Sequence, residues 1–264
     1  MNYGVGRIKE IPVCSRLIKE IHSILLKDVR GNTKNPGEYR TSQNWIEGSR
    51  PDNAAYVPPI PSELNSCLSD LEGFINNDKI DTPELVKIAI IHYQFEAIHP
   101  FLDGNGRTGR ILIPLYLLSK GIIDKPYFYI SDYIEKNKEA YYDFLTRVRT
   151  QNDMISWIKF FLEATINTAM AAKTKFENVV NFTKEMNDFI IKQPINSQNF
   201  QKIVDVLYDK PTITRKELQE ITDIKYGTVK NIISSLLENG YLVEQTGFSR
   251  NQIFTFVKYI NLFE

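Results

Sequence analysis

The chain has 264 residues, 42% of them hydrophobic and 24% charged, which is apolar enough for a packed core and excludes a mainly disordered polymer. Its 32 Lys+Arg balance 32 Asp+Glu, so no overall charge draws it to nucleic acid or an acidic membrane, and only a local patch could do so. The longest unbroken apolar run, Ile111 to Leu118, is too short to cross a bilayer.

Near the start, Arg7, Lys9 and Glu10 interrupt any signal-peptide core. Cys14 and Cys67 lie far apart and outside any CxxC pattern, as idle thiols in a reducing cytoplasm would. Leu17, Ile18, Ile21, Ile24 and Leu25 follow helical spacing between Val13 and Leu26. From Arg30 to Pro61 the chain is polar and rich in Gly, Pro and Asn, which rules out a long helix. Within it, Asn44-Trp45-Ile46 and Ala54-Ala55-Tyr56-Val57 read as two short strands of a hairpin lying on a helical body. Thr82-Pro83-Glu84 supplies a capping hydroxyl, a first-position proline and an acid for a helix that runs to about Ile98. A second helix is expected over Thr108–Ser119, apolar all round and therefore central, ending at Gly121. Further helices are expected over Glu135–Val148 and Met154–Phe176.

A change of texture at Lys192-Gln193-Pro194 suggests two domains, 1–192 and 196–264. Helices over Phe200–Tyr208, Thr214–Ile221 and Tyr226–Asn239 precede two extended runs, Tyr241–Gln245 and Ile253–Val257. That order resembles a winged helix-turn-helix module, so the expected fold is mainly α with a hairpin over the first domain and a small winged tail.

The stretch that carries chemistry is His99-Pro100-Phe101-Leu102-Asp103-Gly104-Asn105-Gly106-Arg107-Thr108-Gly109-Arg110. Gly104 and Gly106 allow a tight turn and close backbone approach to a ligand. The loop opens into a helix N-terminus, where unpaired N–H groups and the dipole favour an anion. Asp103 suits a hard cation such as Mg²⁺. Arg107 and Arg110, one turn apart, present two cationic forks to a polyphosphate, and the Asn105 amide can donate to a phosphate oxygen. His99 is the one neighbouring side chain that titrates near neutrality. Singly, each feature is ordinary: a structural histidine, a DGNG turn, a solvated pair of arginines. Together they serve one anion-binding geometry.

These residues resemble the signature of the Fic-domain family, HxFx(D/E)GNGRxxR, at every specified position. Pro36-Gly37-Glu38-Tyr39-Arg40 resembles the family's segment ahead of its flap, and residues 42–59 resemble the flap itself. The resemblance implies an all-α core with the flap over the active site, and transfer of AMP from ATP to a Tyr, Ser or Thr hydroxyl of a target protein. It implies His99 as general base and Asp103 with Mg²⁺ on the diphosphate. Gly104, Asn105 and Gly106 would line the anion hole at the start of a nucleotide-binding run that continues through Arg107, Thr108, Gly109 and Arg110. Within that run Arg107 would lie on the β-phosphate and Arg110 on the γ-phosphate, with Phe101 anchoring the loop. Gly106 stands where the phosphorylating Doc-like branch has lysine, which favours AMP transfer. Adenosine contacts would come from Tyr141 and Tyr142, for which helix packing is the other reading, and from Asn53, Ala54, Ala55 and Tyr56. A target would dock along the flap by backbone pairing. Self-modification, a homodimer and an inhibitory partner in trans are further expectations. The family's inhibitory pattern [S/T]xxxE[G/N] occurs once, at Ser234–Asn239, inside the presumed recognition helix, and is read there as coincidence.

Two other readings stay open: a DNA-binding regulator whose core senses nucleotide, and an enzyme that removes AMP. Residues 196–264 hold eight Lys/Arg and eight Asp/Glu, so DNA binding would rest on a small patch of Lys225, Lys230 and Arg250. A protein-interaction role for the tail is an equal alternative.

Overall fold

A computed structural model describes residues 1–27, 34–248 and 251–263, and the chain divides into two compact units, Met1–Met170 and Ala171–Glu264. Among the described residues, no helix is long and apolar enough to cross a membrane.

The first unit is helical: α1 (Asn2–Arg7), α2 (Ser15–Leu25), α3 (Leu64–Ile75), α4 (Glu84–Ile98), α5 (Asn105–Ser119), α6 (Ser131–Lys136), α7 (Lys138–Gln151) and the start of α8 (Met154–Ile191). α4 and α5 form its centre. α5 buries Leu112, Ile113, Leu115 and Tyr116, and α4 buries Ile88, Ala89, Ile91 and Phe95. Around them pack Leu17, Ile18 and Ile21 of α2, Leu68 and Leu71 of α3, and Trp157 and Phe161 of α8. The Trp157 indole N–H donates to the Ala89 carbonyl at 2.9 Å, so its one polar atom is satisfied at full burial.

Several sequence expectations change in detail. Thr82 does not cap α4. Pro83 holds the N-cap position, no side chain caps it, and the Pro83 carbonyl receives the N–H of Val86 and Lys87 at 2.8 and 2.9 Å. α5 starts at Asn105, three residues before Thr108, because Gly104 takes a positive φ of 80° and lets the helix begin at once. The helix expected over Glu135–Val148 is two helices, separated at Asn137 with φ −120° and ψ 34°. The hairpin is reduced to one antiparallel bridge, Ile46 with Tyr56, closed by a 3-10 turn at Pro51–Asn53. Pro51, Pro58 and Pro59 have no N–H to extend a ladder. Residues 28–33 of the polar stretch lie outside the described residues.

The helix ends where the texture changes, at 192–194, but the side chains just before that break already belong to the second unit. α8 runs on to Ile191, and Phe182, Met186 and Ile190, spaced by four, are buried in the core of the second unit. That unit continues with α9 (Ser197–Asp209), β1 (Thr212–Thr214), α10 (Arg215–Thr222), α11 (Tyr226–Glu238), β2 (Val243–Glu244), β3 (Ile253–Thr255) and α12 (Val257–Ile260). The sheet has a third strand that the sequence reading missed: β-branched Thr212-Ile213-Thr214 pairs antiparallel with β3, giving the order β1-β3-β2. Thr214 then caps α10, exchanging bonds with Glu217 in both directions. Phe200, Val204, Leu218, Ile232, Leu236 and Phe254 are fully buried together, the three helices and the sheet sharing one core. Phe254→Ala is expected to destabilise this unit by about 3–5 kcal/mol, read as an earlier urea transition of the C-terminal unit.

Candidate active site

The loop between α4 and α5 is closed by its own side chains. Asn105 accepts the Phe101 N–H at 2.9 Å and donates to the Phe101 carbonyl at 2.8 Å. Phe101 is fully buried and stacks on His22 with ring centroids 3.6 Å apart. The Gly37 N–H donates to His22 Nδ1 at 2.8 Å, so the ring's proton sits on Nε2, which donates to the Asp103 carbonyl at 2.9 Å. Burial lowers the His22 pKa and keeps that neutral form.

His99 terminates α4 in left-handed backbone, φ 48° and ψ 59°. That conformation costs a non-glycine residue about 1 kcal/mol and persists because the surroundings hold it. The holder is Arg40, 2% exposed, whose own N–H donates to the Pro100 carbonyl at 2.9 Å. Its guanidinium donates to the carbonyls of His99 at 3.0 Å, Ile98 at 3.5 Å and Ser42 at 3.4 Å, and also to that of Pro59. Asn44 adds a bond to the Phe101 carbonyl at 3.1 Å, so both roots of the flap are tied to the loop. His99 Nδ1 rests 3.4 Å from the Glu96 carbonyl, which can only accept; the proton is therefore on Nδ1 and the lone pair on Nε2. Burial, with help from Arg40, pushes the His99 pKa down to about 4.

At the start of α5 the first intrahelical bond runs from the Thr108 N–H to the Gly104 carbonyl at 2.9 Å. The N–H groups of residues 105–107 are left at the open end of the helix, where an anion is favoured. Asp103, half exposed, accepts the Gly104 N–H at 2.6 Å and lies 3.4 Å from Arg107. Arg107 and Arg110 line one hollow of about 270 Å³ with Leu25, Ile111, Tyr129 and Ser131. His99, the helix end and both cations thus come from one short stretch.

Other candidates are placed differently. The Asn105 amide is spent on Phe101, so only its backbone N–H faces the anion position. Thr108 is fully buried. Gly109 faces α4: a Cβ there would meet Glu96 Oε1 at 2.5 Å and Phe95 at 3.1 Å, so it lets two helices touch rather than a ligand approach. Tyr141 is 3% exposed, with its hydroxyl 3.1 Å from His92 Nε2 and its ring against Trp157, which is packing. Tyr142, one residue on and about 100° around the helix, is 45% exposed. Asn53 is consumed by the flap turn, accepting from the N–H groups of Ser49 and Arg50 at 3.0 and 2.9 Å. Tyr56 anchors the flap, donating to the Ala97 carbonyl at 2.9 Å beneath the Arg149 guanidinium. Ala55 gives its N–H to Ile46 at 3.0 Å, and Ala54 beside it is half-buried.

Sequence reasoning gave no role to His22, Arg40 or Glu96. The available signal was a polar side chain set in or beside an apolar stripe: His22 after Ile21, and Glu96 after Phe95. Arg40→Met is expected to destabilise the first unit by about 3 kcal/mol, because buried carbonyls lose their donor. Hydrogen exchange across residues 42–59 should rise in the same variant.

A family model described as Fic/DOC family matches residues 12–117, and one described as winged helix-turn-helix DNA-binding matches residues 201–243. Proteins named protein adenylyltransferase Fic are similar: that of Culex quinquefasciatus is 32% identical over 151 residues and that of Aedes aegypti 33% over 153. The matches cover 56% and 57% of this chain and 27% of each relative, so the chain spans only a fraction of their length. A crystal structure of a Fic family protein from Desulfovibrio desulfuricans aligns over 97% of this chain and 72% of its own, at 20% identity and a TM-score of 0.56. A Fic domain containing signaling protein from Bacteroides thetaiotaomicron aligns over 65% and 68%, at 23% identity and a TM-score of 0.50. Residues 12–117 are therefore similar to the Fic/DOC family, and residues 201–243 to a winged helix-turn-helix module.

Proposed function

We propose that the chain is a protein adenylyltransferase, moving AMP from ATP to a hydroxyl of a target protein. The observation that carries this reading is the alignment of three functions in one stretch: a neutral His99 with its Nε2 lone pair free, an open helix N-terminus, and two arginines facing one hollow. The relatives named protein adenylyltransferase Fic support it.

In this reading His99 Nε2 takes the proton of the target hydroxyl, whose oxygen bonds to the α-phosphorus as the bond to the bridging oxygen breaks. Pyrophosphate leaves, with Arg107 and Arg110 compensating its charge, and the N–H groups of residues 105–107 hold the α-phosphate oxygens. Asp103 is the residue that would hold Mg²⁺. Among the described residues no three His, Cys, Asp or Glu side chains gather into a cage. A half-exposed carboxylate fits an ion that draws its remaining oxygens from phosphates and water. Bound there, Mg²⁺ would neutralise diphosphate charge.

The flap is the proposed docking edge for the target, and self-modification, a homodimer or an inhibitory partner in trans belong to the same reading. A second reading, a DNA-binding regulator, draws on α11, whose exposed Lys225, Tyr226, Lys230 and Asn231 precede any carboxylate on that helix. Arg250, the third member of that patch, lies outside the described residues. Salt-sensitive duplex binding without AMP transfer would favour it.

Intact mass after incubation with ATP and Mg²⁺ tests the main reading. The expected result is a gain of AMP on the protein or on added target, lost in His99→Ala, with a rate fall of about 10²–10⁴. Full transfer by His99→Ala would refute it. The pH profile is a separate check. The base is competent above its depressed pKa and fails as pH falls through it, so the acid limb should lie near 4 rather than 6.5.

A further inference from the structure

Glu96 is wedged where α4 meets α5. A Cβ on Gly109 would lie 2.5 Å from Glu96 Oε1, and one on Gly106 would lie 3.9 Å from that oxygen and 3.1 Å from a terminal nitrogen of Arg110. Carboxyl and guanidinium thus share the glycine face at the start of α5, directly beneath the anion position. Oε1 is nonetheless buried and accepts no hydrogen bond. Such a group is costly as a bare carboxylate, and Arg110 is the cation that favours its charged form.

The groups around it come from three helices. On α4, His92 is buried with its pKa pushed down to about 4, and His99 beyond the helix end is lowered to about 4. On α7, burial holds Tyr141 well above its ordinary value. On α5 stands Arg110, permanently charged. Burial raises Glu96 to about 7, so of this cluster it is the member that exchanges a proton near neutrality.

We propose that Glu96 is a positioning residue acting through Arg110, and that a polyphosphate binds with uptake of a proton by Glu96. When the chain of phosphates engages Arg110, the carboxylate loses the cation that compensates it and gains negative charge nearby. It then takes a proton from solvent, and the neutral acid no longer competes for the guanidinium. The inference rests on the reading of Arg107 and Arg110 as polyphosphate ligands.

The sign follows. Glu96 is protonated below its pKa and ionised above it, and a bound polyanion raises that pKa further. Uptake is therefore absent well below pH 7, present between that value and the raised one of the complex, and affinity falls as pH rises through that window. The loss is about tenfold for each unit by which the ligand raises the pKa.

The test is calorimetry of the full chain with Mg²⁺ and α,β-methylene ATP, whose α,β bridge cannot be broken, in buffers of different ionisation enthalpy. Protons released or taken up by the nucleotide itself are common to both proteins. The expected result is that wild type takes up more protons than Glu96→Gln above neutrality, up to one, and that its affinity falls more steeply with pH. Equal proton counts and equal pH dependence, with both proteins binding, would overturn this inference and leave the adenylyltransferase reading standing. Binding by neither protein would overturn both. Should Glu96→Gln fail to fold, infrared difference spectra of the wild type above neutrality decide the matter. A new protonated-carboxyl band on nucleotide binding supports the inference, and its absence overturns it.

Discussion

Arg40 puts a charged group inside the first unit and answers it with carbonyl oxygens. Those carbonyls belong to the end of α4, to the motif loop and to both sides of the flap, segments far apart in sequence. A buried guanidinium is expensive unless its donors are met, so the oxygens must stand where the planar fork can reach them. The position of the flap over the loop is thereby fixed together with the backbone of His99. That histidine can then keep a conformation which would relax in an isolated peptide. His22 plays the corresponding part on the other side, joining Gly37 to Asp103 through its two ring nitrogens.

Given that frame, the proposed anion position would be built from backbone N–H groups with charged side chains beside it. The Asn105 side chain closes the loop so that its N–H and the next two remain open. Gly109 brings α4 against α5, which places Glu96 under Arg110. Tyr141 and His92 fill the space behind, and their mutual hydrogen bond satisfies two polar groups that would otherwise be stranded in the core. The same few residues therefore serve packing and electrostatics together.

What could be read from sequence was what is local. The motif from His99 to Arg110 announces an anion site because its parts are contiguous, and the apolar run of α5 announces its central place. What escaped depends on which residues meet across space. Gly109 and Thr108 sit in the motif, yet whether they face ligand or α4 is settled by helix packing. Arg40 was visible as part of a segment, but its side chain's acceptors lie up to 59 residues away. Tyr141 and Tyr142 do touch, edge to face at 5.3 Å, yet one is buried among the core aromatics and the other is exposed, a difference that adjacency in sequence does not show. In the second unit, β1 is three residues long and gains strand character only from β3, which follows some forty residues later.

The course of α8 has a practical side. Because Phe182, Met186 and Ile190 belong to the core of the winged unit, a fragment cut at the polar seam near residue 194 would strip that core of three apolar side chains. It would also leave the same three side chains uncovered on the other piece. Such a pair of fragments invites aggregation on both sides. An excised winged unit keeps its hydrophobic complement only if its first residue is taken from within the helix, upstream of Phe182.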